Sequence, residues 1–185
     1  MSVLFNFLMF QAAWFATVLG AANGAPWMGP VAVLAVVAAH LRRTRQPGVE
    51  SRLILGSVLL GLLGDSLVLA TGWISYPNGL WVPGIAPYWI LALWAVFATT
   101  LNVSMRWIHG RYALAAVFGA IGGPLSYLAG AKLGAMTIVA TAPALIALAL
   151  LWALAMPMLA FLAARYDGSQ VRVLPAYIRE EWNHG

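Results

Sequence analysis

Asp65 lies in the apolar run Leu62-Leu63-Gly64-Asp65-Ser66-Leu67 and is the only acidic residue inside a predicted helix. A charge at the centre of a bilayer costs roughly 2.5–3.5 kcal/mol on insertion scales, so this carboxyl must face other helices, find a partner or hold a proton. Three polar residues are spaced to join it: Ser126, Tyr127 and Lys132. Counting about 1.5 Å per residue from the arginine-rich helix ends brings Asp65, Ser126 and Tyr127 to a similar depth, roughly 20 Å in. Lys132 falls about 10 Å nearer the other surface, with a stem able to turn inward to Asp65 or outward to the headgroups. The four residues outline a polar, outward-opening ligand site. The alternative is a buried network that only ties helices together.

A second polar group falls toward the other surface: Asn6, Gln11, His40, Asn102, Ser104, Arg106 and His109. Their depths suit one inner-leaflet pocket. Asn102 and Arg106 are four residues apart on one helix face, a spacing suited to a lipid phosphate or carboxylate, although Arg106 also fits a plain interfacial anchor. His40 and His109 have no third ligand at a recognisable spacing, so no metal site is expected. The absence of cysteine removes thiolate catalysis, disulfides and iron–sulfur clusters. No histidine-rich di-iron pattern, paired-aspartate motif or serine nucleophile elbow is present. The chain leans away from being an enzyme, and no cofactor is expected.

The elements that carry these residues follow from composition. Of 185 residues 63% are apolar and 8% charged, against roughly 25% charged in a soluble domain. The expected fold is all-α: a polytopic membrane bundle of about six transmembrane helices over residues 1–166, followed by a polar cytoplasmic tail, 167–185. The predicted helices cover about 3–22, 27–41, 52–73, 88–108, 112–132 and 141–166. The second is short for a crossing. The fifth is expected to break at Gly122-Gly123-Pro124, because proline removes a donor and clashes with the preceding turn. The uncharged stretch 74–87, rich in proline, glycine and aromatics, reads as an outer loop that either lies on the membrane or caps the bundle.

Nine of the ten lysines and arginines fall on one side under this count and only Lys132 on the other, which places both termini in the cytoplasm. The first apolar stretch has no basic n-region and a poor cleavage site, so it reads as a retained helix. Although the net charge is +5, the basic residues form no extended face, and nucleic acid is not an expected partner. Glycines at 56, 61 and 64 and at 119, 122, 123 and 130 predict that helices three and five pack together. Trp27, Trp73, Trp81, Trp89 and Trp107 read as interfacial belt residues, whereas Trp14, Trp94 and Trp152 lie deeper and suit a lipid or apolar ligand site.

Four stretches carry a family likeness: Asn6 to Gly24 with Gln11 and Trp14; Gly64-Asp65-Ser66; Phe97-Ala98-Thr99-Thr100-Leu101-Asn102; and Gly122-Gly123-Pro124-Leu125-Ser126-Tyr127-Leu128-Ala129-Gly130. In these the chain resembles a bacterial inner-membrane family catalogued as domain of unknown function two-eight-seven-eight. The resemblance implies an inner-membrane location and a setting beside genes resembling cyclopropane-fatty-acid synthases and flavin-dependent amine oxidases. It thereby implies membrane lipids, and a lipid-modifying enzyme, as partners. The leading expectation is a protein that binds or handles an acyl chain or phospholipid in support of lipid modification. The alternatives are a membrane-embedded lipid-modifying enzyme using Asp65, with Tyr127 or Lys132 as its partner, and a proton-coupled small-solute transporter.

Overall fold

The computed structural model describes residues 2–169, so most of the predicted tail, including Arg172 and Arg179, lies outside the described residues. Six α-helices carry the fold among these residues: α1 (Val3–Ala22), α2 (Met28–Arg43), α3 (Pro47–Ala70), α4 (Tyr88–Leu101), α5 (Tyr112–Lys132) and α6 (Thr141–Arg165). The helices α1, α3, α5 and α6 are long and apolar enough to cross a membrane. The other two, α2 and α4, have 16 and 14 residues. The chain is a membrane protein built as a helical bundle.

The pairs α1 with α2, α3 with α4 and α5 with α6 pack closely, and α4 is the hub, packing against α1, α2, α3 and, at fewer points, α6. Position explains the shortness of α4. Most of its side chains, including Trp89, Trp94, Val96 and Leu101, are buried. Protein rather than lipid surrounds it, and its length need not match the bilayer.

Two helix boundaries differ most from expectation. Helix α3 begins at Pro47 rather than near Arg52, because proline at the first helical position gives up a donor that would be unpaired anyway. Glu50 therefore lies inside the first turn of α3, so Asp65 is not the only helical acid. Helix α4 stops at Leu101 instead of reaching Ile108, and a turn leads to a short 3₁₀ segment, Arg106–Ile108. Here the polar groups find better partners off the helix: Ser104 donates to Oδ1 of Asn6 through its hydroxyl at 2.7 Å, and Asn102 turns its amide to Glu50 at 2.8 Å.

The expected break in the fifth helix is absent. Helix α5 runs unbroken through Pro124. The physical reason is packing on α6: a side chain at Gly123 would collide with the Trp152 ring, and one at Gly119 with the Trp152 backbone and Met156. Tertiary contact along both sides of the proline outweighs one lost helical bond. The same contacts overturn the expected pairing of helices three and five. These two do not pack along each other; α6 packs against both, and Gly64 of α3 faces Leu151 of α6 while Gly61 lies under the Trp94 ring of α4.

The stretch between α3 and α4 caps the bundle. A two-residue antiparallel pairing joins β1 (Ile74–Ser75) to β2 (Thr137–Ile138), which tethers this loop to the turn before α6. Asn78 donates to the Ala21 carbonyl at 2.9 Å, and Trp89 Nε1 donates to the Asn78 carbonyl at 3.0 Å. Trp89 is thus fully buried and not a belt residue, whereas Trp27 and Trp81 remain exposed.

The glycines of α5 give a paired prediction. Gly123→Leu should lower stability by about 1–3 kcal/mol or prevent folding by overpacking against Trp152. Gly122→Ala, where an added methyl meets nothing within 4 Å, should be neutral or stabilising by up to about 1 kcal/mol. Unfolding in detergent with a chemical denaturant measures both, and equal effects would contradict this packing.

Candidate functional site

Asp65 is 1% exposed and lies where α3, α4 and α5 converge. Nε1 of Trp94 donates to its Oδ2 at 2.6 Å, and the Tyr127 hydroxyl donates to its Oδ1. No ion pair between described residues involves Asp65. Two neutral donors with large apolar bodies solve its solvation problem without a second buried charge. Tyr76, in the capping loop, is buried nearby. Burial first, and the charge of Asp65 second, push its hydroxyl well above the usual phenol range, so it stays protonated and uncharged.

Trp94 and Tyr127 each present another surface to a cavity of about 550 Å³, within the roughly 300–1,000 Å³ of small-molecule sites. On one side are Phe7, Phe10, Gln11, Trp14 and Val18 of α1, with α4 behind them. On the other are Phe118, Gly119, Gly122, Gly123, Leu125, Ser126, Tyr127 and Gly130 of α5, with Trp152 and Met156 of α6 behind. Helices α1 and α5 do not pack together, so the cavity lies between them. Phe7, Phe118 and Leu125 on its two sides are also exposed at the outer surface of the bundle. The loop after α4 adds Ser104, Met105 and Trp107 at the arginine-rich end.

The walls are built from rings that fix one another. Trp94 stacks on Trp152 with centroids 4.5 Å apart and planes 13° from parallel. Phe97 meets Trp152 edge-on at 5.6 Å, and Phe10 meets Phe97 at 5.9 Å. The Trp152 N–H is buried beside the Tyr127 hydroxyl, and its geometry falls short of a hydrogen bond. Ser126 donates to the Gly123 carbonyl at 2.9 Å, so its hydroxyl is engaged within α5 while its side chain lines the cavity.

The residues expected to form the two sites are thus redistributed. Gln11, Ser126 and Tyr127 line the cavity, and Asp65 stands behind its wall, holding Tyr127 and Trp94. Lys132 is exposed at the end of α5, does not line the cavity and makes no ion pair with Asp65. Its flexible stem lets the ammonium reach water, which is cheaper than entering a site already satisfied by two neutral donors. Of the residues expected in an inner pocket, Gln11 and Ser104 line this cavity, and the others are engaged elsewhere. Asn6 bonds Thr99 and Ser104, Arg106 pairs with Asp167 at 2.7 Å, and His109 bonds the Leu101 carbonyl at 3.0 Å.

Sequence reasoning missed Glu50. Fully buried, it meets His40 Nε2 at 3.2 Å and accepts from Asn102 Nδ2 at 2.8 Å and from the Gly168 amide at 3.1 Å. Asn102 also bonds the Tyr166 carbonyl at 3.2 Å, so one carboxylate joins α2, α3, the end of α4 and the segment leaving α6. A side chain at Gly168 would collide with the Gln46 carbonyl, which shows how tightly this segment lies on the bundle. The available signal was His40 and Glu50 flanking a short arginine-rich turn.

The fold and cavity define a membrane helix bundle with an aromatic-walled cavity between two helices on its outer surface. The chain belongs to the family of proteins of unknown function DUF2878, whose model matches residues 3–158. Comparison with curated proteins and with solved structures gave no match.

Asp65→Asn should destabilise by roughly 1–3 kcal/mol, since an amide offers one acceptor where two donors converge. Tyr127→Phe should cost a similar amount, and the double variant should cost clearly less than the sum. A denaturant double-mutant cycle in detergent measures this, and strict additivity would mean that the two residues act separately.

Proposed function

We propose that this protein binds the apolar chain of a membrane lipid in the groove between α1 and α5, and holds it for a lipid-modifying partner. The observation that carries the reading is the cavity itself: it is enclosed on its inner side by α4 and α6, and its edges on α1 and α5 are exposed apolar side chains. Those edges would lie in hydrocarbon, where an acyl chain is the molecule at highest concentration. Asp65 supports binding rather than catalysis, because both its oxygens are engaged and it is set behind the cavity wall.

The same reading places the protein in a bacterial inner membrane with both termini cytoplasmic. The orientation is supported by the clustering of Arg42, Arg43, Arg45, Arg52, Arg106, Arg111 and Arg165 at one end of the bundle, with Lys132 at the other.

Gly122 offers a direct test, since it lines the cavity and a Cβ added there has no other atom within 4 Å. Gly122→Leu should fold normally and occupy the groove. Mass spectrometry of lipid retained through purification should show a species bound about one to one to the wild type and depleted several-fold in the variant. Equal lipid retention by the two proteins would overturn the proposal.

A further inference from the structure

The groove raises an energetic problem that also narrows its ligand. A saturated chain leaving the bilayer for the groove gains no hydrophobic free energy, because lipid tails are already as apolar as the side chains that would receive it. Selective occupancy must therefore come from contacts that hydrocarbon does not supply. The groove has such contacts in its rings: Phe10, Phe97, Trp152 and Trp94 form a continuous series, each meeting the next in stacked or edge-on geometry.

These rings are held in place. Gly61 lies directly under Trp94 and Gly123 directly against Trp152, so neither indole can swing back, and Asp65 fixes the Trp94 ring through its N–H. On the α5 wall, Gly122 leaves open space between Phe118 and Ser126, one turn before and after it. A rigid slot whose walls on α1, α4, α5 and α6 all carry rings, Phe10, Phe97, Phe118 and Trp152 among them, fits a flat occupant better than a flexible one. Planar π-systems gain from stacked and edge-on contacts beyond their area, and a chain already rigid loses little conformational freedom on entering.

We infer that the groove selects a lipid whose chain carries conjugated double bonds over a saturated chain of equal length. This rests on the reading of the groove as a lipid site and names the chemistry that it prefers. Asp65 then acts as a positioning residue for Trp94, on which the Trp152 ring stacks.

The experiment uses the full chain in nanodiscs of saturated phosphatidylcholine. Binding of parinaric acid, a conjugated tetraene, is followed by energy transfer from the tryptophans, and a saturated fatty acid of the same length is titrated as competitor. The tetraene should bind about tenfold more tightly than the saturated acid. Phe97→Leu, which keeps the burial and removes a ring, should weaken the tetraene and leave the saturated acid unchanged; Trp152→Phe, which keeps a ring, should retain most of the preference. Equal affinities in the wild type, or a preference untouched by Phe97→Leu, would overturn the selection of conjugated chains. Gly122→Leu separates the two failures: if it blocks both acids while their affinities are equal, the lipid groove stands and only the selectivity falls. If it changes neither, the acids bind elsewhere and both readings fall.

Discussion

A carboxylate inside a bundle of apolar helices has no water to solvate it, and Asp65 meets that demand with an indole and a phenol rather than a cation. The choice has structural consequences. Lysine or arginine would have brought a second charge to desolvate, whereas Trp94 and Tyr127 bring two donors mounted on large apolar surfaces. Each ring is thereby oriented by its hydrogen bond, and each contributes part of its surface to the cavity wall. The shape of the groove follows from the solvation of one acid.

The rest of the bundle holds this arrangement from both ends. At the arginine-rich end Glu50 gathers His40, Asn102 and the Gly168 amide, so the ends of α2 and α4 and the exit from α6 are tied to the start of α3. At the other end the capping loop ties α1 to α4 through Asn78 and reaches the turn before α6 through β1 and β2. Between these ends the apolar packing is uneven. Helices α5 and α6 lie closely together because Gly119 and Gly123 admit Trp152 and Met156, while α1 and α5 are left apart. Close approach on one side of α5 and separation on the other are what leave room for a ligand.

The proline of α5 illustrates how local rules yield to context. Pro124 by itself argues for a break, and in an exposed helix it would cost about 3 kcal/mol. Gly123, read as part of that break, is instead part of the surface on which α6 packs, and α5 continues through it. Any ligand contact in this region is therefore with Gly122 and the side chains around it rather than with the backbone of a broken helix.

Sequence alone determined what depends on distance along the chain. Helix α1 falls on residues 3–22 as expected, the six helices and their apolar character follow from composition and run length, and the arginines mark one end. The shared depth of Asp65 and Tyr127 was countable, since a helix rises by a fixed amount per residue. What surrounds each helix was not countable, because azimuth and neighbour order are set by side chains of other helices. So Lys132, whose stem could have turned either way, lies outward while Trp94 takes the place beside Asp65, α6 took the place beside α3 assigned to α5, and Glu50 came into the bundle only because α3 starts at Pro47. Only the tertiary structure could decide that the acid needing a partner would find two aromatic donors, and that these would wall a cavity between α1 and α5.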